Sequence, residues 1–422
     1  WIGFNAAALG FSYIEIQEMM NKAISQALPA LYIFILIGMI IASFMQSGTI
    51  ATLIYYGLDW LSPGSFLLVG LILCCLMSVL TGTSWGTVGT LGVVFMGIGS
   101  AMNIPLPLVA GMVISGATFG DKLSPVSDTT NLAAMSAETD LYAHIKSMLY
   151  TTVPTLILVM ALMIYFGMKY STQQLPNSEI DEIRLALEDS YELNPFVTLI
   201  PLLVMLGLST RKVAAQVSMS MSILAAVVIA IVYQQSQFIE VLNSLWKNQA
   251  GTTGIANIDA LLGRGGISSM AWTLLLSIMA LAMGGILFHG GFLGALLIGL
   301  VTRVKRVGSL VLLTISSSFL GNLAMGEAYI SIILNCQLYR KSFDELALKR
   351  NMLSRTVEEG STLTTGLIPW TTAGAFYATT LDVAVIEYAP YAFLNYLNPI
   401  VSVLMAYLGI GVLRNQYSRD ET

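Results

Sequence analysis

Long apolar runs are the feature that most constrains how this chain can fold. Three of them, Phe66–Leu80, Thr87–Ile98 and Thr152–Phe166, surround one polar stretch. They are continuous rather than alternating, which predicts helices and not strands. Hydrophobic residues make up 56% of the chain and charged residues only 10%, whereas soluble proteins carry about 25% charged residues. The sequence therefore predicts an all-α polytopic membrane protein with roughly ten helices.

The polar stretch, Gly116–Asn131, holds two aspartates and a lysine between apolar runs. Charged side chains inside a membrane are costly, so they usually face partners, water or a transported ion. Gly120 and Pro125 weaken helical hydrogen bonding here. Non-helical backbone at membrane depth is tolerated where protein buries it or where it lines a cavity. The stretch therefore predicts a broken helix that carries a cation site.

The same order of landmarks occurs twice along the chain. In each copy a span ends, an interrupted pair follows, and a Gly then precedes a Pro by nine residues. The spans end at Gln46-Ser47-Gly48 and at His289-Gly290-Gly291. The tips of the interrupted pairs are Gly82–Gly86 and Asn322–Gly326, and the Gly and Pro positions are Gly116 with Pro125 and Gly360 with Pro369. Internal repeats with paired interrupted helices point to the binding site of a secondary transporter.

Three domains follow from this order. Residues 1–170 form a first transport repeat, residues 171–267 an acidic linker with connecting membrane helices, and residues 268–422 a second, inverted repeat. Basic residues flank the second interrupted pair on both sides, so both of its ends are expected in the cytoplasm. Each interrupted pair is then either a re-entrant hairpin or two full crossings. Because the chain begins at Trp1, we expect further residues before it.

Oxygen-bearing side chains cluster at the breaks and tips. Hard monovalent cations take carboxylate, hydroxyl and freed carbonyl oxygens as ligands. The predicted proton and cation ligands of the first half are Asp121, Asp128, Ser124, Ser127, Asn131, Thr83 and Ser84, with the two aspartates binding Na⁺. The predicted second-half site contains Asn322, Glu327, Glu359, Thr362 and Thr371.

A desolvated carboxylate holds its proton more tightly than one in water, so it can trade that proton for a metal ion near neutral pH. This exchange is the core of proton-coupled antiport. The structural alternative is that Asp121 pairs with Lys122 or caps a helix, and that Asp128 caps the helix that follows. His144 lies on an amphipathic stretch and is predicted to be structural.

Other classes of function find less support in the sequence. A net charge of −5 argues against nucleic acid as a partner. The three cysteines have no metal-like spacing, no Walker motif is present, and no nucleophile–base pair stands out. We therefore expect neither an enzyme nor a cofactor, with Na⁺ as the transported ion. A channel is a further alternative, distinguished by conduction without saturable exchange.

Several motifs are distinctive enough to suggest a family. They are Thr-Gly-Thr-Ser-Trp-Gly-Thr at 81–87, Gly-Asp-Lys-Leu-Ser-Pro-Val-Ser-Asp-Thr-Thr-Asn-Leu-Ala at 120–133 and Leu-Ser-Arg-Thr-Val-Glu-Glu at 353–359. The chain resembles the NhaC-type Na⁺/H⁺ antiporters of the ion transporter superfamily, which also includes malate/lactate exchangers. The resemblance implies two inverted repeats, each with a re-entrant hairpin and a discontinuous helix, often as a homodimer, and further membrane helices before Trp1.

Family roles would fall on Thr83, Ser84, Asp121, Ser124, Asp128 and Asn131. The expected function is exchange of Na⁺ for H⁺ across the bacterial cytoplasmic (inner) membrane. The alternative is a Na⁺- or H⁺-coupled antiporter of small organic acids, of the malate/lactate type, or of amino acids. Many relatives carry Gly-Asp-Gln-Tyr at 326–329 and Trp-Asn-Thr at 370–372, where this chain has Gly-Glu-Ala-Tyr and Trp-Thr-Thr. These differences lie where an organic substrate would bind.

Overall fold

The computed structural model describes residues 10–171, 177–211, 213–249, 251, 259, 262–292 and 306–415. Within these ranges the chain is helical, apart from an isolated bridge between Leu348 and Arg414. Six described helices are long and apolar enough to cross a membrane, or up to seven if a pair bent by 68° forms one span. This confirms the prediction of an all-helical, multi-pass membrane protein, although roughly ten spans were expected. Two further apolar helices, Thr49–Leu58 and Phe393–Tyr407, are shorter.

Twenty α-helices are present in the described part of the chain. Their bounds are α1 Tyr13–Gln46, α2 Thr49–Trp60, α3 Pro63–Thr81, α4 Ser84–Thr87, α5 Val93–Ala101, α6 Leu106–Leu123, α7 Asp128–Ser136, α8 Leu141–Ser171, α9 Asn177–Ser190, α10 Pro195–Thr198, α11 Ile200–Thr210, α12 Ala215–Val232, α13 Phe238–Trp246, α14 Ala271–His289, α15 Val307–Met325, α16 Ala328–Glu345, α17 Arg350–Thr365, α18 Thr372–Leu381, α19 Val385–Tyr388 and α20 Phe393–Tyr407. A π-helical turn, Val88–Gly92, joins α4 to α5, and 3₁₀ turns lie at Ile267–Met270 and Ala389–Tyr391.

Residues 63–101 fold back on themselves and are called the first hairpin. Its tip is Gly82, which ends α3 in the left-handed conformation (φ +68°), followed by Thr83 in an extended conformation. The Thr83 hydroxyl accepts a hydrogen bond from the Gly86 amide and so caps α4. The rings of Phe66 and Phe95, one in each arm, lie 5.8 Å apart.

Residues 307–345 form the second hairpin, and its tip repeats the geometry of the first. Gly326 ends α15 in the left-handed conformation (φ +69°), and Glu327 is extended and accepts a hydrogen bond from the Tyr329 amide. The arms are joined near their middle, where the Ser317 hydroxyl donates to Asn335 Oδ1 at 2.6 Å. Glycine is required at both tips because other residues adopt this conformation only with strain.

Two broken helices follow the hairpins. The first, residues 106–136, is interrupted between Leu123 and Asp128, and the second, residues 350–381, between Thr365 and Thr372. Each resumes behind a hydroxyl cap. Ser127 accepts from the Thr130 amide and Thr371 from the Gly374 amide. The Pro-containing breaks predicted at 125 and 369 are therefore present.

Gly120, which was predicted to weaken the first broken helix, lies inside a regular helix, and so does Gly360 of the second. Gly120 is within α6, and a Cβ at this position would overlap the carbonyl of Cys75 in α3. Gly360 is within α17, where a Cβ would lie 2.6 Å from the carbonyl of Ile315. Likewise α15 continues through Gly321 to Met325, although a break was predicted from Gly321 onward. Small residues in membrane helices allow close backbone approach, and that is their role here.

In the charged region 339–359, residues 352–359 are buried, whereas Lys341, Asp344 and Glu345 are exposed. Tyr339, Arg355, Glu358 and Glu359 are each at most 2% exposed. The charges of Arg355, Glu358 and Glu359 are tolerated because each has a partner inside the protein, which is the usual condition for burying an ionised group.

Equivalent features of the two halves are separated by one constant interval. Gly82 and Gly326, Thr83 and Glu327, Gly116 and Gly360, and Ser127 and Thr371 are each 244 positions apart. The recurrence therefore holds for the hairpin tips, for the glycine contacts and for the helix caps. The domain limits 1–170, 171–267 and 268–422 stay predictions.

Candidate cation site

The two hairpin tips and the two broken helices meet around one cavity of about 50 Å³. The two halves of the chain contribute nearly equal numbers of residues to its lining. The first half provides Ile33, Thr83, Ser84, Trp85, Thr118, Asp121, Lys122, Asp128 and Thr129, and the second half provides Glu327, Ala328, Tyr329, Thr362, Thr365, Thr372, Ala373 and Tyr377. Fourteen of these residues form seven pairs across the halves at the 244-residue interval, beginning with Thr83 and Glu327. The cavity thus lies where the repeated elements converge.

Asp121 stands in the last turn of α6, and its side chain is 8% exposed. Oδ2 accepts a hydrogen bond from Ser84 at 3.3 Å and lies 3.2 Å from Lys122 Nζ. Oδ1 is buried without a hydrogen-bond partner in the part of the chain that the structure describes. The anticipated pairing with Lys122 therefore occupies only one of the two carboxylate oxygens.

Asp128 begins α7 and is exposed to the cavity mouth. Its Oδ1 accepts from the Thr129 amide at 2.8 Å, and Tyr329 of the second hairpin donates its hydroxyl to Oδ2. A carboxylate in the first turn is stabilised by the helix dipole. Asp128 thus lines the cavity and supports its helix, although Ser127, not Asp128, provides the cap.

The second half contributes a third carboxylate. Glu327 is 1% exposed, and its Oε2 accepts a hydrogen bond from the Thr372 hydroxyl at 2.6 Å. Thr362 and Thr365 face the same cavity, and the Thr365 hydroxyl, like Asp121 Oδ1, is buried without a hydrogen-bond partner among the described residues. Asp121 and Thr365 are themselves 244 positions apart.

Other predicted ligands of the first half brace the break rather than line the cavity. Ser124 donates to the Val79 carbonyl at 2.8 Å, which ties the break to the first hairpin. Asn131 donates to the carbonyls of Pro125 and Ser127 at 3.0 and 2.7 Å. Ser127 caps α7. These side chains hold Asp121 and Asp128 in place from behind.

Three predicted second-half residues also lie outside the cavity lining. Asn322 donates to the Ser361 carbonyl at 2.5 Å, Thr371 caps α18, and Glu359 accepts from the hydroxyls of Thr151 and Ser402, both at 2.5 Å. Thr372, one residue after the predicted Thr371, is the threonine that reaches the cavity. A one-residue offset of this kind is set by how the break folds, which the sequence pattern did not resolve.

A buried ionic network was not predicted as part of the site. Lys122 Nζ lies 3.0 Å from Glu358 Oε1, and Glu358 Oε2 lies 2.7 Å from His144 Nε2. The other ring nitrogen of His144 bonds to Ser354 at 2.7 Å. His144 was predicted to be structural because its stretch is amphipathic; its complete burial beside a carboxylate could not be read from that pattern.

An aromatic cluster closes one side of the cavity. Trp85 stacks on Phe34 and Phe376, with ring centroids 5.0 and 5.2 Å apart, and the Tyr377 hydroxyl donates to Ser84 at 3.2 Å. The small, oxygen-lined and predominantly acidic cavity can bind a partly dehydrated cation.

Comparison with known proteins agrees with this geometry. A family model described as "Na+/H+ antiporter family" matches residues 1–130 and 116–410. The chain belongs to the Na⁺/H⁺ antiporter family. It is therefore a multi-pass membrane antiporter and not an enzyme, and the resemblance found in its motifs is confirmed.

Curated relatives of this antiporter carry different substrate names. The chain is 36% identical over 403 residues to the Na⁺/H⁺ antiporter NhaC of Alkalihalophilus pseudofirmus, covering 95% of this chain and 87% of the relative. It is 34% identical over 401 residues to the malate-2H⁺/Na⁺-lactate antiporter of Bacillus subtilis, covering 95% and 86%. It is 33% identical over 402 residues to the arginine/ornithine antiporter ArcD of Halobacterium salinarum, covering 95% and 83%. Membership of the family thus leaves the substrate of this chain open.

Proposed function

We propose that this antiporter exchanges Na⁺ for H⁺ across a bacterial cytoplasmic membrane. The observation that carries the proposal is a pair of buried oxygens without hydrogen-bond partners in the described chain, Asp121 Oδ1 and the Thr365 hydroxyl, whose residues line one cavity from matched positions of the two halves. Burying such atoms unpaired is unfavourable. A bound Na⁺ would supply the missing interaction.

In this proposal Na⁺ and protons compete for the same carboxylates. Asp121 is the principal ligand and Asp128 the second, with Ser84 and the threonine hydroxyls completing an oxygen shell of the kind that hard cations take. A proton on Asp121 removes its charge and weakens Na⁺ binding. Glu327 lines the same cavity and is a further proton acceptor. No cofactor is required.

The proposed architecture is two inverted repeats, each with a re-entrant hairpin and a discontinuous helix. Its support is the matching tip geometry at Gly82 and Gly326 and the constant interval between equivalent residues. Exposing the cavity alternately to each side of the membrane would then carry the ion across. A homodimer, which the resemblance implies, is part of the proposal; light scattering in detergent tests it.

The charges around the cavity favour a cation over an organic acid. Asp121, Asp128 and Glu327 line the wall, while the single lysine, Lys122, is already shared between Asp121 and Glu358. A bound carboxylate would meet like charges without a free cation to pair with, and such contacts are repulsive.

The test is exchange in liposomes that contain the purified protein and a trapped pH dye. Addition of Na⁺ should release or take up protons, and Asp121→Asn should abolish the response while Glu345→Gln, at an exposed surface position, retains it. Retained exchange in Asp121→Asn would remove this residue from the mechanism. A dye that is silent with Na⁺, Li⁺ and K⁺ but responds when malate, lactate or an amino acid is added would replace the proposal with the organic-substrate alternative.

A further inference from the structure

Lys122 is a fully buried lysine whose three N–H donors all have partners in the site. Its ammonium lies 3.2 Å from Asp121 Oδ2, 3.0 Å from Glu358 Oε1 and 2.7 Å from the Thr129 hydroxyl. The side chain is 1% exposed. One positive charge is thus shared between two carboxylates, one on its own broken helix and one on the other.

The two carboxylates hold this lysine differently. Glu358 is 0% exposed, and both of its oxygens have further donors, since Thr130 donates to Oε1 and His144 contacts Oε2. Besides the lysine, Asp121 Oδ2 has Ser84 as a donor, and Oδ1 is buried without a hydrogen-bond partner in the described residues. Glu358 is therefore a fixed position for the ammonium, whereas Asp121 is able to exchange it for another cation.

We propose that Lys122 is a built-in competitor of the transported cation, with Glu358 as its second docking position. When the site is empty, the ammonium compensates the charge of Asp121. When a cation binds Asp121, it repels the ammonium of Lys122. The ammonium then contacts only Glu358 and Thr129 and stays inside the protein. This inference rests on the proposed function, because it concerns the same site and assigns the element that regulates its affinity for Na⁺.

The network allows such a shift because the positive charge of Lys122 is compensated by a carboxylate in both positions, at Asp121 and at Glu358. The remaining charged groups at the cavity wall, Asp128 and Glu327, are acidic and offer Lys122 no repulsion. Since Glu358 touches the cavity only through Lys122, it acts as a positioning residue and not as a ligand. If the ion pair were purely structural, removal of either partner would lower the stability of the protein. It would not shift the Na⁺ affinity in opposite directions.

The experiment measures equilibrium Na⁺ binding to the purified full chain in detergent by isothermal titration calorimetry. Lys122→Gln removes the competitor and should lower the Na⁺ dissociation constant by about tenfold, a typical coupling between linked sites. Glu358→Gln leaves the ammonium on Asp121 and should raise that constant by about the same factor. The double variant should match Lys122→Gln, since Glu358 acts only through the lysine.

Two comparisons make the outcome decisive. Lys341→Gln, an exposed lysine in an i,i+4 pair, should leave the constant unchanged. Glu358→Asp keeps the charge but moves it away from Lys122, so it should raise the Na⁺ dissociation constant less than Glu358→Gln does. If Glu358→Gln does not fold, Glu358→Asp replaces it. Weaker binding in Lys122→Gln, or additive effects in the double variant, would overturn the inference. Absence of Na⁺ binding by the unaltered protein, or its persistence in Asp121→Asn, would instead overturn the proposed function.

Discussion

Neighbouring residues at the second break perform different tasks. The Thr371 hydroxyl accepts from the Gly374 amide at 3.0 Å and donates to the Thr365 carbonyl at 2.6 Å, so it shapes the break. The Thr372 hydroxyl donates to Glu327 and faces the cavity. Residue type alone does not distinguish the two threonines, because hydroxyls in membrane helices commonly bond to their own backbone.

Substitution of each threonine by alanine separates these tasks. Thr371→Ala should cost about 1 kcal/mol of stability, the usual value of a lost helix cap, with little change in the Na⁺ concentration that gives half-maximal exchange. Thr372→Ala should change that Na⁺ concentration, since Glu327 loses a charge-assisted hydrogen bond, and should spare the cap. Thermal unfolding in detergent and the liposome exchange assay provide the two readouts. The reverse assignment of effects would show that Thr371 is the functional residue.

At the scale of helices, glycines fix the distance between each hairpin and its broken helix. Gly116 and Gly120 on α6 face the carbonyls of Leu71 and Cys75 on α3, and Gly360 on α17 faces Ile315 on α15. These contacts seat the ends of the broken helices against the hairpins. They explain why Gly occurs inside helices where its backbone freedom alone would be a disadvantage.

A methyl group at these glycines should force the helices apart. Gly120→Ala and Gly360→Ala are each expected to cost at least about 1–3 kcal/mol, the range for overpacked sites, and to lower exchange because the cavity wall shifts. Gly207→Ala is the matched control, since nothing lies within 4 Å of a Cβ at that position of α11; it should be neutral or slightly stabilising. The melting temperatures of the three variants decide the matter, and equal values would show that the close approach has no energetic role.

At the scale of the whole molecule, the cavity is closed by contacts between the two halves. Tyr329 donates to Asp128, Tyr377 donates to Ser84, and Glu358 pairs with Lys122. Each contact joins an element of the second half to one of the first. We expect that opening the cavity to one side of the membrane breaks some of them.

Tyr329→Phe removes one such contact without changing the shape of the ring. A hydrogen bond to a charged group contributes about 1.5–3 kcal/mol, so the open state should become more populated. A cysteine at Ala373, which lines the cavity and is 2% exposed, should then react several-fold faster with a water-soluble maleimide. The native cysteines are buried and give a low background. The control is Tyr396→Phe, because the Tyr396 hydroxyl bonds to the Pro390 carbonyl within its own half; this variant should leave the labelling rate unchanged. Equal labelling rates in the two variants would show that the contact between Tyr329 and Asp128 does not hold the cavity closed.

Much of this organisation could be predicted from residues. The apolar runs gave a helical membrane protein, the left-handed tips fall at Gly82 and Gly326, and the breaks occur beside Pro125 and Pro369. Asp121, Asp128, Thr83, Ser84, Glu327 and Thr362 were named beforehand and line one cavity. The role of Gly120 was misjudged because a sequence pattern shows a weak helix former but not the backbone packed against it.

The sequence by itself determined the class, the positions of the tips and breaks, and the acidic residues beside them, because each depends on local chemistry: apolar length, glycine and proline geometry, and the cost of charge in hydrocarbon. Only the tertiary structure decided which residues meet. It placed Thr372 rather than Thr371 at the cavity, excluded Glu359 from the lining and joined Glu358 to both Lys122 and His144. Those pairings link residues more than 200 positions apart, and their geometry depends on how the two halves pack together.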